Sequence, residues 1–134
     1  MQIIYINFAA TYYPDIAKTE VPEHYAGKFV QMQNGPVEYL IFSPREFTRY
    51  HADIVERFCI DRKIPGVYNS RDKIFDIIDH HWAISGGGKF EMDRVRNRLR
   101  LYDDSLAYGK FVRTGLMEKI LSIPDFSDYR IKIE

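Results

Sequence analysis

The stretch from Ser43 to Phe58 (Ser-Pro-Arg-Glu-Phe-Thr-Arg-Tyr-His-Ala-Asp-Ile-Val-Glu-Arg-Phe) constrains this chain more than any other. Ser43 followed three residues later by Glu46 has the form of a capping box, and Pro44 stands where a first helical residue needs no N–H. Phe47, Tyr50, Ile54, Val55, Phe58 and Cys59 recur at the spacing of one helical face. The pattern predicts a helix from Pro44 to about Ile64, where Pro65-Gly66 stops it. His51 falls inside the apolar stripe. It is either a packed, hydrogen-bonded core residue or an imidazole placed where the helix meets something else.

Around that helix the chain reads as strands. Met1 to Phe8 is β-branched and aromatic, and residues 12–26 show neither period and read as a loop that includes His24. Lys28 to Gln33 and Val37 to Phe42 flank Asn34-Gly35, a hairpin signal, with Pro36 expected to lengthen the turn beyond two residues. Asn69-Ser70 ahead of Ile74, Phe75, Ile77 and Ile78 predicts a short inserted helix within 67–82. Residues 83–92 form a strand whose Gly86-Gly87-Gly88 marks a bulge or a close backbone approach. Arg98 to Tyr102 alternates as a half-buried strand, and Asp103 to Gly109 is a loop. Thr114 is expected to cap a last helix that Pro124 ends, and Tyr129 to Ile133 closes the chain as a strand. The prediction is one α+β domain over 1–134, with a mixed sheet of about six strands, two main helices packed on it and a short inserted helix.

Composition narrows the function classes. Nineteen basic residues balance nineteen acidic ones, so no global field draws the protein to nucleic acid or anionic lipid. The run Ile3-Ile4-Tyr5-Ile6 is too short to span a bilayer and follows no basic residues, which predicts a cytoplasmic protein without membrane association. The lone Cys59 on the helix's apolar face behaves as a small hydrophobe. His80 and His81 are adjacent, point apart in either regular structure, and belong to no zinc-type spacing, so no metal or other cofactor is expected. Six positions after Cys59 stands Pro65, not the arginine of a cysteine-phosphatase loop.

Four segments occur in order: Tyr50-His51-Ala52-Asp53-Ile54, Gly86-Gly87-Gly88-Lys89, Ser105-Leu106-Ala107-Tyr108-Gly109 and Glu118-Lys119-Ile120. Together they resemble the phosphohistidine phosphatase (Janus/Ocnus) family, over most of residues 37–133. The resemblance implies that His51 is the catalytic base or nucleophile. It also implies that Ala52, Ser105, Leu106 and Ala107, with Lys89 and Arg113, hold the phosphoryl group through hydroxyl, backbone N–H and cationic groups. Three positions depart from the family's well-studied members. Glu38 stands where a strand lysine is expected, Lys89 replaces an arginine and Arg113 replaces a loop histidine. The segment 65–82 is also longer and is expected to reshape or cover the pocket. The implied function is a metal-free phosphohydrolase acting on a phosphorus–nitrogen bond, in a phosphorylated protein or a small phosphoramidate. The alternative is a catalytically weak or inactive phosphate- or phosphoprotein-binding module with the same fold. The oligomeric state is left open.

Overall fold

In the computed structural model, which describes residues 2–134, the α+β architecture is as expected. Met1, the first residue of the expected opening strand, lies outside the described residues. Among the described residues eight strands form: β1 (Gln2–Asn7), β2 (His24–Asn34), β3 (Val37–Pro44), β4 (Gly66–Asn69), β5 (Ile74–Ile77), β6 (Trp82–Asp93), β7 (Arg98–Tyr102) and β8 (Arg130–Ile133). Six of them build a mixed sheet in the order β1-β3-β2-β6-β7-β8, with parallel pairs at its two edges and antiparallel pairs inside. The helices are α1 (Ala9–Thr11), which runs into a π-helical stretch over Tyr12–Ala17, then α2 (His51–Asp61) and α3 (Leu116–Leu121).

The sheet has a core on each side because successive side chains of a strand point to opposite faces. Phe29, Leu40, Phe42, Phe90, Leu99 and Leu101 pack with Leu116 and Ile120 of α3 and with Phe126. Val30, Met32, Tyr39 and Ile41 pack with Ile54, Val55, Phe58 and Cys59 of α2 and with Phe75 of β5. The middle of β3 is therefore buried on both faces and reads as a continuous apolar run. In β7 only Leu99 and Leu101 are buried, and the face bearing Arg98 and Arg100 is left uncovered.

Four local expectations are corrected. First, α2 begins at His51, not at Pro44. β3 continues to Pro44, which pairs with Gly27, and the Ser43 hydroxyl is buried against that of Thr48 instead of capping a helix. A single 3₁₀ turn over Arg45–Phe47 follows, held from α2 by Arg57, which donates to the Thr48 hydroxyl (3.1 Å) and the Phe47 carbonyl (3.0 Å). Tyr50 is the extended residue before the helix, and its N–H donates to the Asp53 carboxylate (3.1 Å).

Second, residues 66–77 are the hairpin β4–β5, not a helix. Asn69 does not cap a helix; its side chain accepts from the N–H groups of Arg71 (3.0 Å) and Asp72 (3.2 Å) and closes the turn. The same Asx chemistry serves both structures, which is why the sequence signal was ambiguous. The short helix of the architecture lies instead at 9–17, starting directly after the first strand and running into the expected loop of residues 12–26.

Third, the β2–β3 turn has only two residues, Gly35 and Pro36. Gly35 takes φ +58° in the first position, where tight hairpins prefer glycine. Fourth, α3 is preceded by Gly115 at φ +70°, and Thr114 supplies no cap. The expected bulge is present: Gln31 pairs with Gly86 and Met32 with Ile84, leaving Ser85 as the extra residue of β6.

Candidate functional site

Below the bulge, β6 carries its glycine triplet past two close neighbours. A Cβ on Gly86 would stand 2.4 Å from the Lys110 carbonyl oxygen, and one on Gly87 would stand 2.8 Å from His51 Cδ2. The triplet is thus a seat. One side receives the segment 109–111, bound through Gly87 N–H to the Gly109 carbonyl (3.0 Å) and Phe111 N–H to the Gly87 carbonyl (3.3 Å). The other side receives the imidazole of His51, the first residue of α2.

His51 is buried, and its Nε2 lies 2.9 Å from the Gly88 carbonyl oxygen. A carbonyl only accepts, so Nε2 carries the proton and the neutral ring keeps its lone pair on Nδ1. Nδ1 has no partner within the protein, and among the described residues no buried side-chain nitrogen or oxygen lacks one, so Nδ1 is not sealed from solvent. Burial holds the His51 pKa below the usual histidine range; the Gly88 bond opposes that shift and the Lys28 ammonium reinforces it. This shift favours the neutral imidazole.

His51 opens onto a cleft of about 450 Å³ lined also by Lys28, Lys89, Ser105, Leu106 and Ala107, with Asp72 and Lys73 from the β4–β5 turn. Ser105 is buried, and its hydroxyl accepts from the Tyr108 N–H (3.1 Å) while its backbone exchanges two hydrogen bonds with Gly109 (3.1 and 2.7 Å). This closed turn leaves the N–H groups of Leu106 and Ala107 without protein acceptors, and the Leu106 side chain lies in solvent. At the start of α2 the N–H groups of His51 and Ala52 are likewise unpartnered, while the Ala52 side chain is sealed in the core. Free amides on a turn and at a helix start are the donors an anion requires.

Two of the sequence-identified residues lie elsewhere. Glu38 is not in the cleft; it pairs with Lys119 (3.0 Å) at the other end of the sheet's central strands. Arg113 is exposed and does not line the cleft. Gln31 grips both backbone groups of Val112 (3.1 and 2.8 Å), and the chain leaves the site before residue 113. Lys89 does line it, bound to Asp103 (3.1 Å), whose carboxyl the ammonium holds below the usual carboxylate range. His80 and His81 lie on the surface, His81 against Asp79, and no group of three or more potential metal ligands gathers among the described residues.

Sequence reasoning missed Lys28. It is the cross-strand partner of Lys89 and makes no ion pair among the described residues; burial, then Lys89 and Arg45, hold its pKa below the usual lysine range. Its signal was available: Lys28 shares the strand face of Val30 and Met32, an apolar face on which a charge needs a reason. Tyr108 was noted within its motif but not for its task. Its hydroxyl bonds both backbone groups of Phe75 (2.8 and 3.1 Å), while Tyr68 donates to Asp53 (2.8 Å). These two tyrosines fasten the β4–β5 hairpin to the 105–109 turn and to the start of α2. The segment 65–82 thus contributes Asp72 and Lys73 to the lining of the cleft.

No protein-family model matches the chain, and no curated protein matches it. The fold is an α+β domain with a small cleft in which three lysines (Lys28, Lys73, Lys89) and three aspartates (Asp72, Asp103, Asp104) surround one buried imidazole.

Proposed function

We propose that the protein is a metal-free phosphohydrolase acting on a phosphorus–nitrogen bond, with His51 as the reacting group. The observation that supports this most is the Nε2–H bond to Gly88, which leaves the Nδ1 lone pair unengaged on a ring that shares its cleft with the turn of free amides. As a base, Nδ1 takes a proton from water while the water oxygen forms the new bond to phosphorus. The phosphorus–nitrogen bond breaks with its electron pair on the departing nitrogen, which receives the proton back from Nδ1. As a nucleophile, Nδ1 itself attacks phosphorus while the phosphorus–nitrogen bond breaks with its pair on the departing nitrogen, which takes a proton from solvent; water then attacks the phosphorylated ring, releasing phosphate and returning the electron pair to Nδ1. In either route the Leu106 and Ala107 amides, the Ser105 hydroxyl, Lys28 and Lys89 face the charge spread over the phosphoryl oxygens. This assignment agrees with the resemblance to the phosphohistidine phosphatase family, with Lys28 serving where Glu38 had seemed to break the pattern.

A second reading, a phosphate-binding module without turnover, draws on Asp72, Asp103 and Asp104, which line the same cleft and offset its lysines. Hydrolysis of phosphohistidine, phospholysine and phosphoramidate, each with and without chelator, separates the two. Turnover that survives exhaustive chelation supports the hydrolase. Saturable phosphate binding with no turnover of any substrate supports the module.

A further inference from the structure

The sheet face that carries Lys28 and Lys89 continues beyond the cleft. Along the uncovered sheet face the register aligns Ala26, Glu91, Arg100 and Lys132 in the next row, then His24, Asp93, Arg98 and Arg130. With Arg45 beside them, these rows line a groove of about 680 Å³. Its charges are unequally committed. Each carboxylate in it already has a partner: Glu46 accepts from Tyr13 (2.9 Å), Glu91 from Arg100 (3.0 Å), and Asp93 from Arg96 (3.3 Å). Arg45, Arg98 and Arg130 make no ion pair or side-chain hydrogen bond among the described residues, and all three are exposed. A groove on the sheet face that also carries Lys28 and Lys89, with its anions satisfied and its guanidiniums free, is complementary to an anionic chain.

We propose that this groove docks an acidic polypeptide segment flanking the phosphorylated residue, so that the substrate is a phosphoprotein and not a free phosphoramidate. This rests on the hydrolase reading of the cleft. Strand rise is about 3.3 Å per residue, so the Arg98–Arg130 row lies about 13 Å from the Lys28–Lys89 row. An extended peptide with its phosphorylated side chain in the cleft reaches that row with the fourth residue to one side. The preferred substrate carries Asp or Glu near that position, on one side only.

The test compares phosphohistidine peptides bearing Glu at positions three to five on the N-terminal side, on the C-terminal side, or replaced there by Lys, with phosphoramidate as the small substrate. One Glu peptide is expected to exceed its Lys counterpart in kcat/KM by about tenfold at low ionic strength, and to lose that advantage in high salt. The double variant Arg98→Glu, Arg130→Glu should abolish or invert the preference, chiefly through KM, while turning over phosphoramidate like the wild type. Equal rates for the Glu and Lys peptides, or a preference untouched by charge reversal, overturns the proposal. Absence of turnover on any substrate defeats the hydrolase reading instead. The docking claim is then decided by fluorescence anisotropy of the labelled, unphosphorylated Glu peptide, whose binding the double variant must lose. Displacement of that peptide by a single-stranded oligonucleotide that binds more tightly overturns the assignment in favour of nucleic acid.

Discussion

Alanine at Gly87 should unseat the central histidine. Its Cβ would lie 2.8 Å from His51 Cδ2 on one side and 2.8 Å from the Phe29 carbonyl oxygen on the other. Phe29 belongs to the neighbouring strand at the middle of the sheet and cannot withdraw, so the imidazole must move. Restoring the 2.8 Å approach to the 3.4 Å of ordinary contact displaces the ring by about 0.6 Å. A 2.9 Å bond from Nε2 to the Gly88 carbonyl does not survive that displacement with good geometry. Overpacking costs about 1–3 kcal/mol and the lost buried hydrogen bond about 1 kcal/mol more. For a domain of this size the sum of roughly 2–4 kcal/mol lowers Tm by about 6–16 °C. Circular dichroism melting measures the loss. Long-range ¹H–¹⁵N spectra of the imidazole measure the second consequence, a departure from the pure Nε2–H tautomer. A Gly87→Ala protein with wild-type Tm and an unchanged His51 tautomer would refute the claim that the glycine triplet exists to seat the ring.

Three further outcomes are expected. Because burial depresses the folded-state His51 pKa, the unfolded chain takes up the proton first as pH falls below about 6.5, so stability decreases from there toward the depressed folded value and is flat above. Urea titrations of wild type and His51→Gln across that window check this, since a glutamine amide can still donate to Gly88 but cannot titrate; the variant should lose the slope and all turnover. Lys28→Met should weaken phosphate binding severalfold and reduce its salt dependence, whereas Glu38→Gln should leave phosphate affinity unchanged and lose only the part-buried ion pair with Lys119, as calorimetry and thermal melts would show. Ser105→Ala removes the acceptor of the Tyr108 N–H and should destabilise the fold by about 1 kcal/mol while weakening phosphate binding; equal affinity in the variant would take the turn out of the site.

The sequence by itself determined the fold class and most of the strands. Alternation at Arg98–Tyr102 and the turn signal at Asn34-Gly35 act over a few residues, and local chemistry suffices to read them. His51, Lys89 and Ser105 were legible as residue types in order, and the fold brings them to one cleft. The start of α2 was not legible. Ser43, Pro44 and Glu46 satisfy the local rules for a helix start, yet pairing of Pro44 with Gly27 and the grip of Arg57 on the 45–48 turn override them. The hairpin at 66–77 was equally hidden, because four apolar residues spaced as Ile74, Phe75, Ile77 and Ile78 fit either period; the hold of Tyr108 on Phe75 ties the strand to a loop 33 positions away. Which lysine lines the cleft was likewise a tertiary decision. Glu38 and Lys28 occupy neighbouring strands, and only the register between β2, β3 and β6 puts one opposite Lys89 and sends the other to Lys119. A cross-strand partner or an anchoring hydrogen bond joins residues far apart in the chain, and no window of neighbouring residues contains both ends of such a contact.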